Sequence, residues 1–566
     1  MKRKMLIVGG VAGGASVAAK LRRYSEEDEI IMFEKGPNVS FSNCSLPYHL
    51  SGVIEDPEDL VLMDPETFLN QYNIEARVNN EVISINRRNK TLSVKNVLTD
   101  EIYEENYDKL VLSPGANPIL EDIKGIENAN VFTIRNVGDI DNLNKFIKRV
   151  DSKDILVVGG GFIGIEVAEN LKLAGYNVSI ITASKQILNI YDYDMVQIFH
   201  KEIYDKGINL LIGEKVEKFE DDKAYLTTGK VVDAKVIVMA KGVTPEVKLA
   251  KEAGLEIGET GAIKVDKNYK TNDKDIYAVG DAVEVYNPLT HSMIKLSLAG
   301  PALKQARAVA DNINYRTSVN TGYIGSSSIK VFDYNGAATG LSEASIKSQK
   351  LKISYEIVNL ILNDKVGLMP DASPLHFKLL FEVPTGKILG AQAIGKGDVT
   401  KRIDVIATAM KFGGTVESLR DLELSYSPTF STAKDIVNYA GYIGTNLLNG
   451  EFKQINVDKV RKLVESNAFI VDVREKYEYK RSHIKNSVNI PLSELRKRVL
   501  EIPKDIPVYI HCRTGQRSYN AVLALQNLGY ENVYNITGSF LGLSFYEYFN
   551  DKIMNRESIV TKYNFN

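Results

Sequence analysis

Two glycine-rich turns, each between an apolar run and a helical pattern, constrain the fold of this chain more than any other feature. The first turn follows a predicted buried strand over residues 5–8 and precedes a predicted helix over 15–24. Glycine lets the backbone approach a pyrophosphate, and a helix N-terminus supplies amide donors and the positive end of the helix dipole. The pattern therefore predicts a nucleotide-binding βαβ unit. Its turn contributes the candidate cofactor contacts Gly9, Ala12, Gly13 and Gly14.

The second strand of this unit, predicted over 30–33, is followed by Glu34 and Lys35. Glu34 lies 20 positions after Gly14, where an acidic side chain reaches a ribose hydroxyl in dinucleotide-binding folds. Val11 occupies the middle glycine position of the G-x-G-x-x-G pattern, and glycine turns of this kind also occur without ligands. Glu34 and Lys35 are therefore candidate contacts that need support from the rest of the chain.

A second unit begins 150 residues later and has all three glycines. Strands predicted over 155–158 and 178–181 flank the turn and a helix predicted over 165–174. Two units in this order indicate two dinucleotide sites, which a single unit would not. The candidate residues of the second site are Gly159, Gly161, Ile163, Gly164, Thr182 and Gly242.

Two further segments complete the first unit. Residues 110–112 predict a strand that enters a tight turn near the first nucleotide, and 276–282 predict a strand that ends at Asp281 before a helix. An aspartate in this place accepts hydrogen bonds from a polyol chain, although it also serves as a helix N-cap. Because both glycine units are present, we favour the cofactor role. The candidate contacts of these segments are Ser113, Pro114, Gly115, Gly280 and Asp281.

Composition excludes several classes of protein. The 566 residues are 44% hydrophobic and 25% charged, which is typical of a globular chain of about three to five domains. A net charge of −2 argues against nucleic-acid binding, and no run of 18 apolar residues predicts a membrane span. The two cysteines lie 468 positions apart and form no disulfide framework, and no Cys/His cluster has zinc-site spacing. We expect a cytoplasmic protein with free thiols, no metal and no nucleic-acid or membrane partner.

Five motifs in this order resemble the single-cysteine pyridine nucleotide–disulfide oxidoreductases, and in particular the coenzyme A-disulfide reductases. They are Gly-Gly-Val-Ala-Gly-Gly (9–14), Ser-Phe-Ser-Asn-Cys (40–44), Leu-Ser-Pro-Gly-Ala (112–116), the glycine turn at 159–164 and Val-Gly-Asp-Ala (279–282). The resemblance covers about residues 1–445. It changes the interpretation of Cys44, which taken alone would be a buried small hydrophobe.

The resemblance implies an α/β fold with two Rossmann-like nucleotide-binding domains, one for FAD and one for NAD(P)H. It also implies an α+β dimerisation domain that builds a homodimer. The expected bounds are 1–115 and 250–320 for the FAD domain, 116–249 for the NAD(P)H domain and 321–445 for the dimerisation domain.

The chain departs from the family at two places. NADH-selective members usually place an acid after the strand over 178–181, whereas this chain has Thr182, followed by Ser184 and Lys185. Without a carboxylate to repel a 2′-phosphate, we expect relaxed selectivity between NADH and NADPH. A second family tyrosine would lie near 367–370, where this chain has Leu and Met, which puts in doubt the family's handling of bulky CoA disulfides.

Residues 425–430 resemble the family segment whose tyrosine crosses the dimer interface to the partner's cysteine. Here that residue is Tyr426, a candidate catalytic residue. A packed interface aromatic is the alternative interpretation.

A second thiol lies near the C-terminus. A strand predicted over 508–511 ends at Cys512, and a short loop leads to a helix predicted over 519–528. Loop amides and the helix dipole stabilise a thiolate in such a cradle, and Arg513 and Arg517 add positive charge. We therefore predict that Cys512 is catalytic.

The loop at 512–517, with Val-Asp-Val-Arg-Glu at 471–475 upstream, resembles a rhodanese domain. This rhodanese-like α/β domain would cover 456–566, after a linker over 446–455. The resemblance implies a cysteine that carries sulfane sulfur as a persulfide. A phosphatase is the alternative, although Arg517 lies one position short of Cys-x5-Arg, and the shorter loop favours sulfur over phosphate.

Cys44 has no resolving partner. Dithiol flavoprotein reductases carry a second cysteine a few residues after the first, and here position 49 is His49. Cys44 must cycle through an external partner, as a mixed disulfide, a persulfide or a sulfenic acid. The resemblance implies that NAD(P)H reduces the flavin, which then reduces the Cys44 adduct. Arg22, with its neighbour Arg23, is a candidate for holding the CoA 3′-phosphate, and a solvated basic patch is the alternative. The other candidate substrate contacts are Ser40, Asn43, Arg513 and Arg517.

We therefore expect a reductase of CoA disulfide, CoA persulfide or polysulfide that uses FAD, NAD(P)H and coenzyme A, with Cys512 carrying sulfane sulfur. Two alternatives stay open. One is an NADH oxidase or peroxidase that cycles through a sulfenate on Cys44. The other is a sulfurtransferase with a non-redox flavoprotein scaffold.

Overall fold

In the computed structural model, which describes residues 2–565, the chain folds into two compact units. The first comprises the chain up to Ala183 together with Leu211–Tyr323. The second comprises Ser184–Leu210 and the chain from Ile324 onwards. The segment Ser184–Leu210 belongs to the expected NAD(P)H domain by sequence, yet its contacts group it with the C-terminal unit.

The first unit holds most elements of the N-terminal half. Up to residue 182 they are β1 (Lys4–Val8), α1 (Ala12–Arg22), β2 (Glu29–Phe33), α2 (Pro65–Tyr72), β3 (Glu75–Arg77), β4 (Asn80–Asn86), β5 (Thr91–Asn96), β6 (Ile102–Asn106), β7 (Lys109–Leu112), β8 (Ala116–Pro118), β9 (Val131–Phe132), α3 (Val137–Arg149), β10 (Asp154–Val158), α4 (Phe162–Leu173) and β11 (Asn177–Thr182). The helix α5 (Tyr193–Asp205) then belongs to the second unit. The strand β12 (Asn209–Ile212) runs across the boundary at Leu211. The first unit continues with β13 (Val216–Glu220), β14 (Lys223–Leu226), β15 (Val231–Asp233), β16 (Val236–Met239), β17 (Val243–Pro245), α6 (Lys248–Glu252), β18 (Ile276–Ala278), β19 (Glu284–Asn287), β20 (Ser292–Lys295) and α7 (Ala299–Ile313).

Two five-stranded sheets form the centre of the first unit. In one, β1 pairs in parallel with β2 and β7, and the strand order is β18-β7-β1-β2-β3. In the other, β10 pairs in parallel with β11 and β16, and the order is β12-β11-β10-β16-β9. One face of the first sheet packs against α1 and α7, and the other packs towards β4, β5 and β6. Both faces of this sheet are buried, which explains why its central strands are apolar along their whole length. The two strand orders show that both predicted Rossmann-like sheets are present.

The second unit contains the remaining elements. They are β21 (Ser326–Val331), β22 (Tyr334–Gly340), α8 (Glu343–Ser348), β23 (Tyr355–Asn363), β24 (Pro374–Glu382), β25 (Ile388–Gly395), α9 (Thr400–Lys411), α10 (Val416–Arg420), α11 (Ile436–Leu448), β26 (Lys453–Ile455), α12 (Val460–Glu465), β27 (Phe469–Asp472), α13 (Lys476–Arg481), β28 (Val488–Asn489), β29 (Val508–His511), α14 (Gln516–Asn527), β30 (Val533–Ile536) and α15 (Ser539–Met554). An antiparallel sheet of order β21-β22-β25-β24-β23 packs against α9 and α11.

The C-terminal domain is built on a five-stranded parallel sheet of order β26-β30-β29-β27-β28. Its strand β26 lies inside the linker expected over 446–455, and α11 continues to Leu448. That expectation is wrong, because only residues 449–452 separate the two elements. The domain is also held directly to its neighbour, since Asn446 Nδ2 donates to Tyr519 Oη at 2.8 Å and Gln454 Nε2 donates to the carbonyl of Ile357 at 2.8 Å.

Aromatic side chains join the C-terminal helix α15 to α5. The ring centroids of Tyr193 and Tyr546 lie 5.8 Å apart, and those of His200 and Phe549 lie 4.9 Å apart. Edge-to-face and tilted aromatic pairs at these distances contribute about 0.5–1.5 kcal/mol each beyond their buried area. The C-terminal domain is therefore part of the packing of the second unit rather than a tethered appendage.

Three helices begin earlier than the sequence predicts, at Ala12, Phe162 and Gln516, because the loop that precedes each one already forms its first turn. The prediction of a helix directly after Asp281 is wrong. Gly280–Ala282 is a single 3-10 turn, and β19 follows it. In the described part of the chain no helix is both long and apolar enough to cross a membrane.

Candidate active sites

The first glycine turn and the Ser113 segment meet closely. Gly9 has φ +93°, and a Cβ there would lie 2.0 Å from the carbonyl oxygen of Ser113. A Cβ at Gly14 would lie 1.8 Å from the carbonyl oxygen of Gly9, and one at Gly13 would lie 2.5 Å from Ser113 Oγ. No side chain fits at these positions, so β1, α1 and the end of β7 form one tight wall. A Cβ at Gly280 would also come within 3.6 Å of Ser113 Oγ. The predicted segment over 276–282 therefore lies at the same place.

The carboxylate of Glu34 organises the turn itself. Its oxygens accept hydrogen bonds from the backbone N–H groups of Gly10 at 2.9 Å and Gly36 at 3.0 Å. Each oxygen keeps a second lone pair for a ribose hydroxyl, so the expected role of Glu34 stays compatible with the structure. The neighbouring Lys35 is exposed.

The structure adds Arg135 to this site, which the sequence did not reveal. Arg135 Nη2 donates to the carboxylate of Asp281 at 3.2 Å, and the space beside Gly115 is closed by the same nitrogen. Arg135 precedes α3 and belongs to no motif, so only the fold brings it to Asp281 and Gly115.

The second glycine turn is tight at Gly159 and Gly164 and open at Gly161, the position beside which a pyrophosphate is expected to bind. A Cβ at Gly159 would lie 2.2 Å from the carbonyl of Ala240, and one at Gly164 would lie 2.1 Å from that of Gly159. At Gly161, by contrast, a Cβ would meet no described atom within 4 Å, and this residue caps the N-terminus of α4. The residues present fit a bound dinucleotide phosphate, because an open glycine stands over the amide end of a helix.

The remaining residues of the second site lie around this turn. Ile163 is in the first turn of α4, and Thr182 ends β11 with its side chain buried. Gly242 has φ +111° and is exposed, and its carbonyl accepts the N–H of Ile119 at 3.0 Å. These three roles in nucleotide binding stay predictions.

Cys44 lies on a 3-10 helix, Asn43–His49, and its side chain is exposed. Partial burial, and then the charges of Glu166 and Asp281, raise the pKa of its thiol. Burial, together with the charge of Glu169, raises the pKa of Glu166 to about 7. The thiol therefore stands near a carboxyl group that exchanges a proton at physiological pH, which sequence reasoning missed although Glu166 follows the second glycine turn by two positions.

Side-chain hydrogen bonds fasten the Cys44 segment to the helices α3 and α4. His49 Nδ1–H donates to the carbonyl of Ile54 at 2.9 Å, so Nε2 accepts from Asn144 of α3 at 2.8 Å, the tautomer being assigned from these partners. Ser51 Oγ donates to Asn170 Oδ1 of α4 at 2.6 Å. The bond to α4, together with the backbone bond from Ser40 N–H to the carbonyl of Gly10, fixes this segment relative to both glycine turns.

Asn43, beside the thiol, carries an observation that points to a ligand. Its Oδ1 is buried and has no hydrogen-bond partner within residues 2–565. Buried amide oxygens are almost always paired in folded proteins, so a bound group is expected to supply the donor. Ser40 lies nearby at φ +49°, and its backbone bonds to Gly10 and Leu62 hold this segment against the first turn.

The expected role of Arg22 in substrate binding is wrong. Its side chain is only 5% exposed, and its guanidinium donates to four backbone carbonyls, those of Ser25, Asp28, Tyr72 and Asn73, at 2.7–3.0 Å. These bonds occupy its donors inside the protein.

Two basic residues remain for that role, Lys20 on α1 and Arg23 directly after its end. Arg23 is exposed, and Lys20 lies 4.2 Å from the centre of the Tyr24 ring. Arg23 therefore stays a candidate for an anionic substrate group, and Lys20 joins it in place of Arg22.

Tyr426 and Phe430 are exposed aromatic residues of the dimerisation domain, at 49% and 73%. They line a pocket of about 360 Å³ with Lys365, Lys401 and Arg402. Exposed aromatics of this size mark a contact surface. The role of Tyr426 at a partner's thiol stays a prediction.

Cys512 is buried in the cradle that the sequence predicts. The backbone N–H of Gly515 donates to its Sγ at 3.1 Å, and the hydroxyls of Ser518 and Ser539 lie 3.6 and 4.0 Å from it. Ser539 Oγ also accepts the N–H of Cys512 at 3.2 Å. Several donors aimed at one sulfur suit an anionic thiolate or persulfide.

The two arginines of this loop have protein partners. Arg517 donates to both carboxylate oxygens of Glu478, at 2.6 and 2.8 Å. Arg513 donates to the carbonyl of Asn564 at 3.0 Å, and burial, with the neighbouring Arg474, lowers its pKa to about 10. Glu478 is the third residue that sequence reasoning missed, because nothing in its local pattern indicates a partner 39 positions away.

Two dinucleotide-type turns on parallel sheets, with one exposed thiol fixed to both, define an oxidoreductase that works through a single redox sulfur. The chain matches the family of "Pyridine nucleotide-disulphide oxidoreductase" over residues 3–306 and the dimerisation domain of that family over 326–436. It belongs to this family, whose members depend on FAD and NAD(P)H. A rhodanese-like domain matches residues 456–544. The predicted fold class is thereby confirmed.

Particular relatives agree with this assignment. The chain is 34% identical over 440 residues to "Coenzyme A disulfide reductase" of Staphylococcus epidermidis, covering 78% of this chain and 99% of that protein. The structure of reduced "Bacillus anthracis CoADR-RHD" is similar at TM-score 0.93 and 43% identity, covering 97% and 98% of the two chains. A "NAD-Dependent Persulfide Reductase from A. fulgidus" is similar at TM-score 0.90 and 32% identity, covering 95% and 99%. The predicted resemblance is confirmed across both parts of the chain.

Proposed function

We propose that this protein reduces disulfides and persulfides of coenzyme A, and polysulfide, with NAD(P)H as the electron donor and Cys44 as the redox sulfur. The observation that carries the proposal is one exposed thiol, fixed between two dinucleotide-type turns and followed at position 49 by histidine instead of a resolving cysteine. Two relatives are named for these two substrate classes, a coenzyme A disulfide reductase that covers 78% of this chain and a persulfide reductase that covers 95% of it.

The chemistry at Cys44 is an exchange at sulfur. The Cys44 thiolate attacks one sulfur of CoA disulfide, the S–S bond breaks, and CoA thiolate leaves with the electron pair. With a CoA persulfide, attack on the outer sulfur places that sulfur on Cys44 and again releases CoA thiolate. FAD bound at the first turn would carry the two electrons of NAD(P)H that split the resulting S–S bond and release CoA thiol or hydrogen sulfide.

Residues of this chain prepare that exchange. The bonds of His49 and Ser51 hold the thiol in place. Glu166 can take or give a proton as Cys44 ionises, because the pKa of Glu166 is about 7. Arg23 and Lys20 would hold the CoA phosphates, and the buried Oδ1 of Asn43 would accept a donor from the substrate.

The protein is proposed to act as a homodimer. The matched dimerisation domain and the exposed aromatics Tyr426 and Phe430 support an interface in this region. Tyr426 would then stand near Cys44 of the second copy, where a phenol can donate to the departing thiolate.

Cys512 is proposed to carry sulfane sulfur as a persulfide and to supply it for reduction at Cys44. The donors from Gly515, Ser518 and Ser539 support this role, because they suit an anionic terminal sulfur. Thr182 leaves the second nucleotide site without a carboxylate at the ribose position, so both NADH and NADPH are expected to serve.

The test is anaerobic oxidation of NADH and NADPH with CoA disulfide, CoA persulfide, polysulfide or peroxide. Cys44→Ser should abolish turnover with all sulfur substrates, and Cys512→Ser should slow only turnover that draws on a sulfane donor. Turnover supported by peroxide or oxygen alone would instead indicate an oxidase or peroxidase that cycles through sulfenate. A rate with persulfide that is unchanged in Cys44→Ser would leave only the sulfurtransferase.

A further inference from the structure

Arg517, in the first turn of α14, lies between the carboxylate of Glu478 and Cys512. Its guanidinium makes a two-bond ion pair with Glu478, the strongest geometry for an arginine and a carboxylate. The bonds to Glu478, and more weakly the adjacent Cys512, raise the pKa of Arg517. The same cation therefore borders the sulfur and is held by a carboxylate.

Glu478 is itself fixed in position. It is the third residue of α13, and its Oε2 accepts the N–H of Glu475 at 3.1 Å in a capping box. Burial opposes its ionisation, but the hydrogen bonds from Arg517 outweigh that effect and hold the pKa of Glu478 below its usual range. A permanent negative charge therefore stands beside the Cys512 loop.

A second arginine near the thiol is compensated in the same way. Arg474 Nη2 lies 2.6 Å from the carboxylate of Asp472, and both side chains are buried. The positive charge that two of the local arginines would offer to an oxyanion is thus matched by protein carboxylates.

We propose that Glu478 determines which sulfur donor Cys512 accepts, favouring persulfides and polysulfides of thiols over donors whose sulfane sulfur is attached to an oxyanion. The inference rests on the proposed role of Cys512 as a sulfur carrier. A sulfonate-type group would have to displace Glu478 from Arg517 and would be repelled by its charge. A thiol persulfide carries no oxyanion to compete with Glu478, and the Cys512 Sγ that attacks it already has donors in Gly515 and Ser518.

The transfer needs no external oxidant or reductant. The Cys512 thiolate forms a bond to the outer sulfur of RS–SH, the donor S–S bond breaks, and RS⁻ leaves with the electron pair. The proton remains on the new Cys512 persulfide. With thiosulfate the same attack would expel sulfite.

The experiment compares thiosulfate with glutathione persulfide as donors to the full-length protein, without NAD(P)H. Sulfur passed on to cyanide is measured as thiocyanate. Glu478→Gln keeps the capping-box acceptor but removes the charge. We expect its kcat/KM for thiosulfate to rise about tenfold, mainly through a lower KM, because Arg517 becomes available to the oxyanion. The value for glutathione persulfide should change little.

Three further variants separate this effect from damage to the domain. Glu501→Gln breaks a similar pair with Arg498, with bonds of 2.7 and 2.7 Å, and should not change the ratio of the two donors. Glu478→Asp should shift the ratio less than Glu478→Gln does. In an Arg517→Met background, Glu478→Gln should have no effect on the ratio.

Two results would overturn the inference. If the wild-type protein uses both donors and Glu478→Gln leaves their ratio unchanged or lowers it, the donor selection is wrong while the carrier role of Cys512 stands. If the wild-type protein takes sulfur from neither donor, the carrier role and the selection both fail.

Discussion

Two glycines of the second nucleotide turn differ in what a methyl group would meet there. A Cβ at Gly161 would have no described atom within 4 Å, whereas one at Gly159, at φ +129°, would lie 2.2 Å from the carbonyl oxygen of Ala240. Gly161→Ala therefore fits the protein, but its methyl group fills the space over the N-terminus of α4. This is the space that a dinucleotide phosphate requires. The substitution separates nucleotide binding from folding.

The size of the effect follows from the bonds that would be lost. Charge-assisted hydrogen bonds contribute about 1.5–3 kcal/mol each, so displacing one phosphate contact should raise the KM for NAD(P)H by about ten- to a hundredfold. The stability of Gly161→Ala should change by less than about 1 kcal/mol, because alanine is only a poorer N-cap than glycine. Gly159→Ala should lose about 3 kcal/mol or more, since it combines backbone strain with a clash.

Initial rates at saturating CoA disulfide, thermal melting and the absorbance of bound FAD measure these three quantities. Gly161→Ala should keep its FAD and its melting midpoint and lose only nucleotide affinity. Gly159→Ala should melt earlier. An unchanged KM for both NADH and NADPH in Gly161→Ala would refute the assignment of this turn to the nucleotide.

Three other predictions concern the first site and the C-terminal domain. Arg22→Met removes four bonds to backbone carbonyls and should lower the melting midpoint by about 4 °C or more. Arg23→Met should leave the midpoint unchanged and raise the KM for CoA disulfide. Equal effects of the two variants would contradict the assignment of Arg22 to stability and Arg23 to substrate binding. Glu166→Gln removes a charge that raises the pKa of Cys44, so the Cys44 thiolate should form at lower pH. The pH profile of Cys44 alkylation measures this change and should move to lower pH; a move to higher pH would contradict the argument. Truncation after Leu448 uncovers the aromatic side of α5 and should lower the melting midpoint and increase binding of an apolar dye; an unchanged midpoint would show that this docking contributes little.

Features that depend on local backbone geometry were predictable from the sequence. The glycine turns, Ser113 and Gly280 were assigned to shared sites because glycine spacing and strand ends report directly where the backbone must come close. The structure brings Gly13 and Gly280 to the same Ser113 hydroxyl. The Cys512 loop was predictable for the same reason.

Side-chain partners between distant segments were not predictable. No local pattern indicates that Arg135 pairs with Asp281 or that Arg517 pairs with Glu478. The burial of Arg22 did have a signal, because it lies four residues after Ala18 on the apolar side of α1, while its neighbour Arg23 is turned about 100° away. Helical period therefore separates two adjacent arginines that composition treats alike.

The two thiols have opposite surroundings, and this difference argues for different tasks. Cys44 is exposed, and nearby carboxylates disfavour its anion, so a resting negative sulfur is not stabilised there. Cys512 is buried among an amide and two hydroxyls that suit a negative sulfur. A sulfur that must be stored before reduction suits the second environment, whereas Cys44 is exposed and can therefore be reached by an external disulfide. Exchanging the roles would place the storage step where the local charges oppose it.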